Sequence, residues 1–399
     1  MRPTELLDTN LKPFCQTSHQ LRYGSVKEAV SAAITGKNVS VTGLGRAIAG
    51  KVKEKHRIKR MDKLIGNYLL NADSTRYYQA ISGWLLSTVK QPVILIDWST
   101  ITSDEKWHLL RASLSFHGRA ITLFECVYEQ KLYAKKTTHD QFLTQLKRLL
   151  PESCTPIIVT DAGFKGPWFR TVESLGWHWV CRIRGTVTLT RSNEDFWIPI
   201  KKLHLLFDEG IPTECGEFVL AKTSPHRCRI VALKKIPKGR KHFTKRALVS
   251  KDSNSRTKAR SQSEPWMIAT NLPQHQMSEK QLCNIYRQRM QIEESFRDLK
   301  SAQFGLGLEH SGSRSRYRLA NLILIASLAH FVLLLIGLCA ESQKLQYQFQ
   351  ANTVRHYRVL SFITLALRVL ERIDDFSLSD DDILYAREVI SEHQAAICL

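Results

Sequence analysis

Acidic side chains are the first shortage in this 399-residue chain: 37 Asp and Glu face 58 Lys and Arg, a formal charge of +21. That imbalance implies a polyanionic partner or an anionic surface, with nucleic acid first in order. Paired cysteines are also missing. The nine cysteines are scattered, with no CxxC and no Cys/His spacing of a zinc site, so a disulfide framework is excluded and a reduced cytosol fits. The fourteen histidines contain no HExxH, and GLGRAIAG (Gly43–Gly50) lacks the strand and the GK[ST] ending of a phosphate loop. A histidine-zinc protease and an ATPase are thereby set aside. The opening MRPTELLDTN has no apolar segment of a secretory leader, so a cytoplasmic protein is expected. What is present is globular: 43% hydrophobic and 24% charged residues, in a length that suits two or three domains.

Residues 1–88 read as a helical DNA-binding domain. VKEAVSAAI (Val26–Ile34) has helical spacing, and the basic run Lys51–Lys63 is opposed only by Glu54 and Asp62. Helices joined near Thr42–Gly50 fit a helix-turn-helix, and either phosphate contact or a solvated charged face explains the run. Residues 89–310 read as an α/β catalytic domain. VILIDWS (Val93–Ser99) is an apolar β run closed by a carboxylate; WHLLRASLSF and AITLFECVY flank the turn His117-Gly118-Arg119. PIIVTDAGF (Pro156–Phe164) is a second apolar strand, ending in Asp161. A β-rich insertion over 186–263 carries a basic stretch, Lys234–Arg260, with eleven Lys/Arg against the single acid Asp252. Lys238, Arg240 and Lys241 within it are expected DNA contacts. Arg182 and Arg184, on alternate positions of a strand, either face DNA or are surface charge. Residues 311–399 read as helical, serving core packing and dimerisation. LANLILIASLAHFVLLLIGLCA (Leu319–Ala340) has no charged residue and is long enough to span a bilayer, so a buried core helix and a membrane span are both open.

Asp97 and Asp161 stand at the C-terminal ends of apolar strands, where a side chain leaves the sheet for a crevice. Two such aspartates and one further acid suffice for a hard cation such as Mg²⁺, although an Asp there also caps a following turn. The third acid is expected on one helix from Glu279 to Lys300. With Tyr286 as origin and about 100° per residue, Arg289 falls near 300°, Glu293 near 340° and Lys300 near 320°. All four share one face. Glu294 falls about 100° from Glu293 and points elsewhere. Such a stripe suits a phosphate-lined neighbour, or a salt-bridged surface. The Asp380-Asp381-Asp382 cluster reads as the acidic first turn of the last helix.

YRQRMQIEESFRDLK places Tyr286, Arg289, Glu293 and Lys300 at the spacing Tyr, two residues, Arg, three residues, Glu, six residues, Lys. In this the chain resembles the DDE transposases of bacterial insertion sequences, in particular the insertion-sequence-four family with its YREK signature. VILIDWS and IIVTDAGF are similar to that family's first two acidic motifs. The resemblance implies an RNase-H-like catalytic core with a β-rich insertion between Asp161 and Glu293. It implies that Asp97, Asp161 and Glu293 are catalytic and hold two Mg²⁺ ions, with Mn²⁺ able to substitute. It further implies double-stranded DNA as partner, both terminal repeats and target, a homodimer in the synaptic complex, and no membrane. The activity implied is cut-and-paste transposition in the bacterial cytoplasm, at the nucleoid, through nicking, hairpin formation and strand transfer at inverted terminal repeats. By the same resemblance Trp266 stacks on a flipped base, the alternative being a buried strand tryptophan, while Tyr286, Arg289 and Lys300 clamp phosphates. A DNA-binding regulator without catalysis would satisfy the charge balance alone.

Overall fold

The computed structural model describes residues 5–8, 20–191, 196–236, 252, 264–303, 305–373 and 376–398. Two units divide the chain: Met1–Cys154 with Met290–Ala396, and Thr155–Arg289 with Ile397–Leu399.

In the first unit, short polar caps cut the amino-terminal sequence into helices α1 (Gln20–Gly36), α2 (Val41–Ala47), α3 (Glu54–Ile65) and α4 (Tyr68–Leu86). Ser40 Oγ accepts the Gly43 N–H at 3.0 Å and Asn67 Oδ1 accepts the Leu69 N–H at 2.9 Å, each satisfying a donor that the helix start would otherwise orphan. Gly45 lets α2 lie directly on α3, because a Cβ there would fall 2.5 Å from the Ile58 Cα. The α3 helix buries Met61, Leu64 and Ile65 and turns Lys55, Lys59, Arg60 and Lys63 outward. Strands β1 (Val93–Thr100), β2 (Trp107–Phe116) and β3 (Arg119–Glu129) form an antiparallel meander in the order β3-β2-β1. The expected turn at His117-Gly118 joins β2 to β3 with φ of 41° and 82°.

The remaining elements of this unit are the helix that follows β3 and four helices from the far end of the chain. Helix α5 (Lys136–Leu149) sends Phe142 against Phe124 of β3, with ring centroids 5.0 Å apart. Helices α8 (Met290–Lys300), α9 (Arg316–Ser342), α10 (Phe362–Arg372) and α11 (Asp380–Ile397) complete it. The apolar stretch Leu319–Ala340 lies in α9, the one described helix apolar and long enough to cross a membrane. It is a core helix, since 94% of its most apolar window is buried. Asn321 and His330 are two of the polar residues within it. The Asn321 amide donates to the Ile65 and Asn67 carbonyls at 2.9 and 3.0 Å, closing the end of α3, and burial holds the His330 pKa down at about 3. Asp380, Asp381 and Asp382 do form the first turn of α11, where Ser379 Oγ accepts the Asp382 N–H at 3.1 Å. Further along α11, Gln394 accepts the Val93 N–H at 2.8 Å and donates to the Ser115 carbonyl, which fastens the helix to β1 and β2.

The second unit is built on β4 (Ile157–Thr160), α6 (Gly166–Ser174) and β5 (His178–Ile183), a parallel β-α-β unit. Five strands are added to it: β6 (Thr188–Thr190), β7 (Ile198–Pro199), β8 (Pro212–Leu220), β9 (His226–Leu233) and β10 (Trp266–Thr270). The sheet of this unit runs β4-β5-β10-β9-β8-β6-β7. The strands expected between 186 and 263 therefore extend this sheet, through β9 beside β10. Trp179 of β5 stacks on Phe169 of α6 at 4.0 Å and anchors the crossover helix. Helix α7 (Glu279–Arg287) opens on a capping box formed by Ser278 and Gln281.

One expectation is corrected. The helix from Glu279 to Lys300 is not continuous: α7 ends at Arg287, a turn occupies Gln288 and Arg289, and α8 begins at Met290. Counting 100° per residue from Tyr286 to Glu293 is therefore invalid. The unit division falls at the same place, so Tyr286 and Arg289 belong to the second unit and Glu293 and Lys300 to the first.

Candidate active site

Within the first unit, Asp97 lies where β1 emerges from its buried run, with its Oδ1 accepting the Trp98 N–H at 2.8 Å. Asp97 and Ser99 share one face of β1, because strand side chains alternate. Helix α8 lies on that face: the Lys300 ammonium donates to Ser99 Oγ at 3.0 Å and to the Thr100 carbonyl at 3.4 Å. Burial pulls the Lys300 pKa down, and the nearby Glu309 carboxylate opposes the shift. Glu293, seven residues before Lys300, is on the same side of α8 and exposed. Glu294 is turned away and held by Arg119 at 3.6 Å and by Arg297. The helix geometry thus distinguishes the two glutamates as the spacing argument did, over the part of the helix that is continuous.

Behind Asp97, on the opposite face of β1, Trp98 is enclosed by Tyr128, Tyr133 and His139, with ring centroids at 5.5, 5.0 and 5.9 Å. Its indole N–H donates to His139 Nε2 at 3.1 Å. Burial lowers the His139 pKa from 6.5 to about 4, so the ring stays neutral and able to accept. The unfolded chain takes up this proton near pH 6.5 and the folded chain only near pH 4, so the stabilising contribution is complete above 6.5 and is lost as pH falls through 4. The size is on the order of 3 kcal/mol. His139→Gln, which retains an acceptor without titrating, is expected to flatten the fall of the melting temperature between those two pH values, measured by calorimetry. An unchanged slope would assign the acid sensitivity to other groups.

Within the second unit, Asp161 follows β4 directly, and its Oδ1 accepts the Gly163 N–H at 2.8 Å. A Cβ on Gly163 would lie 3.0 Å from that oxygen, so glycine leaves the carboxylate room in its loop. The Asp161 carbonyl accepts from the Cys181 thiol at 3.0 Å. Burial pushes that thiol up to about 12, which makes Cys181 a support and not a nucleophile. Trp266, Arg182 and Arg184 share one face of the sheet by the register of β10 on β5. Trp266 is half-buried. Tyr286 meets its ring edge-on at 5.0 Å and the Lys235 ammonium sits 3.3 Å from its ring centroid. Tyr286 itself is buried, which raises its pKa to about 12 against the pull of Arg289. Burial lowers the Arg182 pKa, and Arg184 pairs with Glu264 at 2.7 Å. The second unit thus gathers Asp161, Tyr286, Arg289, Arg182, Arg184 and Trp266, and the first gathers Asp97, Glu293 and Lys300. Lys238, Arg240 and Lys241 lie outside the described residues.

Among the described residues, no three of His, Cys, Asp and Glu form a ready-made metal group. The donor chemistry nevertheless suits a hard divalent ion: the three acids offer only oxygen, and the Gly163 cradle leaves room at Asp161. The sequence did not point to Arg111, Glu125 and Ser295, which hold α8 to the sheet, or to His139; Lys235 was included only as part of the basic stretch Lys234–Arg260. The single Lys, Arg, Asp or Glu within the strand pattern WHLLRASLSF was the available signal for the first.

In the second unit a carboxylate just past a strand, with arginines and a tryptophan on the neighbouring strands, is a set of groups suited to chemistry on phosphodiesters. A family model described as a transposase DDE domain matches residues 89–332, and the chain belongs to that family. It is a transposase, an enzyme of DNA transposition whose family works with divalent metal ions on DNA. No curated protein matches the chain.

Proposed function

We propose that this transposase belongs to the insertion-sequence-four group and carries out cut-and-paste transposition on an RNase-H-like core. The observation that carries this reading is the pairing of Asp97 with the α8 face bearing Glu293, tied together by the Lys300–Ser99 bond. The succession of an antiparallel meander and a parallel β-α-β unit is the element order such a core requires. Asp97, Asp161 and Glu293 would hold two Mg²⁺ ions, or Mn²⁺ in their place, and such ions would supply the positive charge that an attacking and a leaving oxygen need in an in-line displacement at phosphorus.

The protein's own groups position the DNA. Arg289 grips phosphate through its planar fork and Lys300 as a point charge, while Arg182 and Arg184 add positive potential beside Trp266. Tyr286, buried against Trp266, braces the indole and meets DNA only at its edge. Trp266 receives a base extruded when the transposon end closes into a hairpin. The α3 face with Lys55, Lys59 and Lys63 contributes to binding of the inverted terminal repeats, and a homodimer pairs the two ends. The place of action is the bacterial cytoplasm, at the nucleoid.

The test is incubation of purified protein with a DNA fragment carrying its own element's end and Mg²⁺, read on a denaturing gel. Nicks at the end followed by hairpins are expected. Specific binding with no cleavage at any divalent ion would leave only the regulator reading.

A further inference from the structure

We infer that Arg111 is a positioning residue that fixes Glu293 against Asp97, holding α8 on the sheet through a buried charge network. The inference rests on the proposed catalytic role of those acids. Arg111 stands directly opposite Asp97 in the β1–β2 register and opposite Glu125 in the β2–β3 register, so all three side chains leave one face of the sheet. The Arg111 and Glu125 side chains are each only 1% exposed and meet at 2.7 Å. From this buried place Arg111 Nη1 reaches α8 and donates to Ser295 Oγ at 3.2 Å, two residues beyond Glu293, while the guanidinium carbon lies 5.1 Å from the Phe296 ring centroid. Glu125 accepts in turn from Tyr78 of α4 at 3.0 Å and from Ser327 of α9.

Three helices and three strands therefore converge on one guanidinium–carboxylate pair. Net stability is a weak explanation for it, since a buried ion pair rarely surpasses a well-packed apolar pair of the same volume. Direction is a better one. A guanidinium fork fixes the angle between the groups it joins, whereas apolar packing would allow α8 to slide along the sheet. A second arginine acts on the neighbouring side of the same helix: Arg119 Nε lies 2.8 Å from Asp298 Oδ2. With Arg111 on one flank and Arg119 on the other, Glu293 keeps its place on the exposed side.

The experiment compares the full-length protein with R111M/E125Q, which removes both charges together, and with R111K, which keeps the charge but loses the fork. Melting temperature reports folding. Binding of a labelled transposon end reports the DNA surfaces, and electron paramagnetic resonance of free Mn²⁺ reports the acid site without turnover. In the folded variant or variants, end binding is expected to stay at the wild-type level while Mn²⁺ affinity falls about tenfold, the usual cost of losing an outer partner of metal-binding side chains. The Mg²⁺ concentration for half-maximal cleavage should rise in step. Wild-type Mn²⁺ affinity in either folded variant would overturn the inference and leave Arg111 a structural residue. D97N run alongside separates the two levels: if D97N also binds Mn²⁺ normally, the acid assignment has failed and the positioning role with it.

Discussion

Asp97→Asn, Asp161→Asn and Glu293→Gln are each expected to lower strand cleavage about a thousandfold or more, the equivalent of about 4 kcal/mol of barrier. Each exchanges a negative oxygen for a neutral amide of almost the same shape, so a divalent ion loses charge neutralisation while the fold loses little volume. Local geometry supports near-isosteric replacement. The Trp98 N–H donates to Asp97 Oδ1 and the Gly163 N–H to Asp161 Oδ1, bonds that the amide oxygen of Asn can still accept. Glu293 is exposed on α8, so Gln there disturbs no core. Specific end binding, read by gel shift, should survive in all three, because the basic surfaces of α3 and of the β5–β10 face are untouched. Loss of binding together with cleavage would show that the variants misfold or that these acids serve another purpose. Glu294→Gln is the control. Its carboxylate is committed to Arg119 and Arg297, so cleavage should stay within a fewfold of wild type.

How far this site could be read in the sequence differs by residue. Asp97 and Asp161 were legible because an apolar run closed by a carboxylate marks where burial ends; Asp161 stands just past β4 as expected, whereas Asp97 lies within β1, which continues to Thr100, at the point where its buried run stops. The existence of the apolar helix α9 and the acidic first turn of α11 were legible in the same way, from composition within one element, whereas the burial of α9 in the core is shown only by its packing. The break at Gln288 and Arg289 was not legible. Nothing in IYRQRMQIEE carries glycine, proline or another breaking residue, so local propensity favours one long helix. What stops it is tertiary: α7 serves the sheet of one unit, and α8 is held in the other by Arg111 and Arg119. A motif that spans two units can keep its spacing while its residues have different neighbours. That also explains why Tyr286, counted on one stripe with Glu293, is instead buried against Trp266. Cross-strand arrangements such as Asp97–Arg111–Glu125 depend on register, which is invisible until the strands are paired.

Trp266→Ala should separate two steps that a single cleavage assay merges. First-strand nicking needs an intact duplex at the acids and no extruded base, so its rate is expected to change less than about threefold, within what small shifts of DNA position cause. Hairpin closure bends the end sharply and leaves a base without its stacking partner. Loss of an indole platform worth about 1 to 3 kcal/mol should slow that step by about 5- to 150-fold. The surroundings sharpen the expectation. Tyr286 holds one edge of the indole, and the Lys235 ammonium lies 3.3 Å from its ring centroid, where an incoming base would have to displace it. Trp266→Phe keeps an aromatic face at the start of β10 and should recover most of the closure rate, whereas Trp266→Leu keeps apolar volume without one and should not. The measurement is a single-turnover time course on an end-labelled fragment, with nicked and hairpin products resolved on one denaturing gel. If nicking and closure fall together in all three variants, the indole is serving the packing of β10 against α7, and base capture belongs to another side chain.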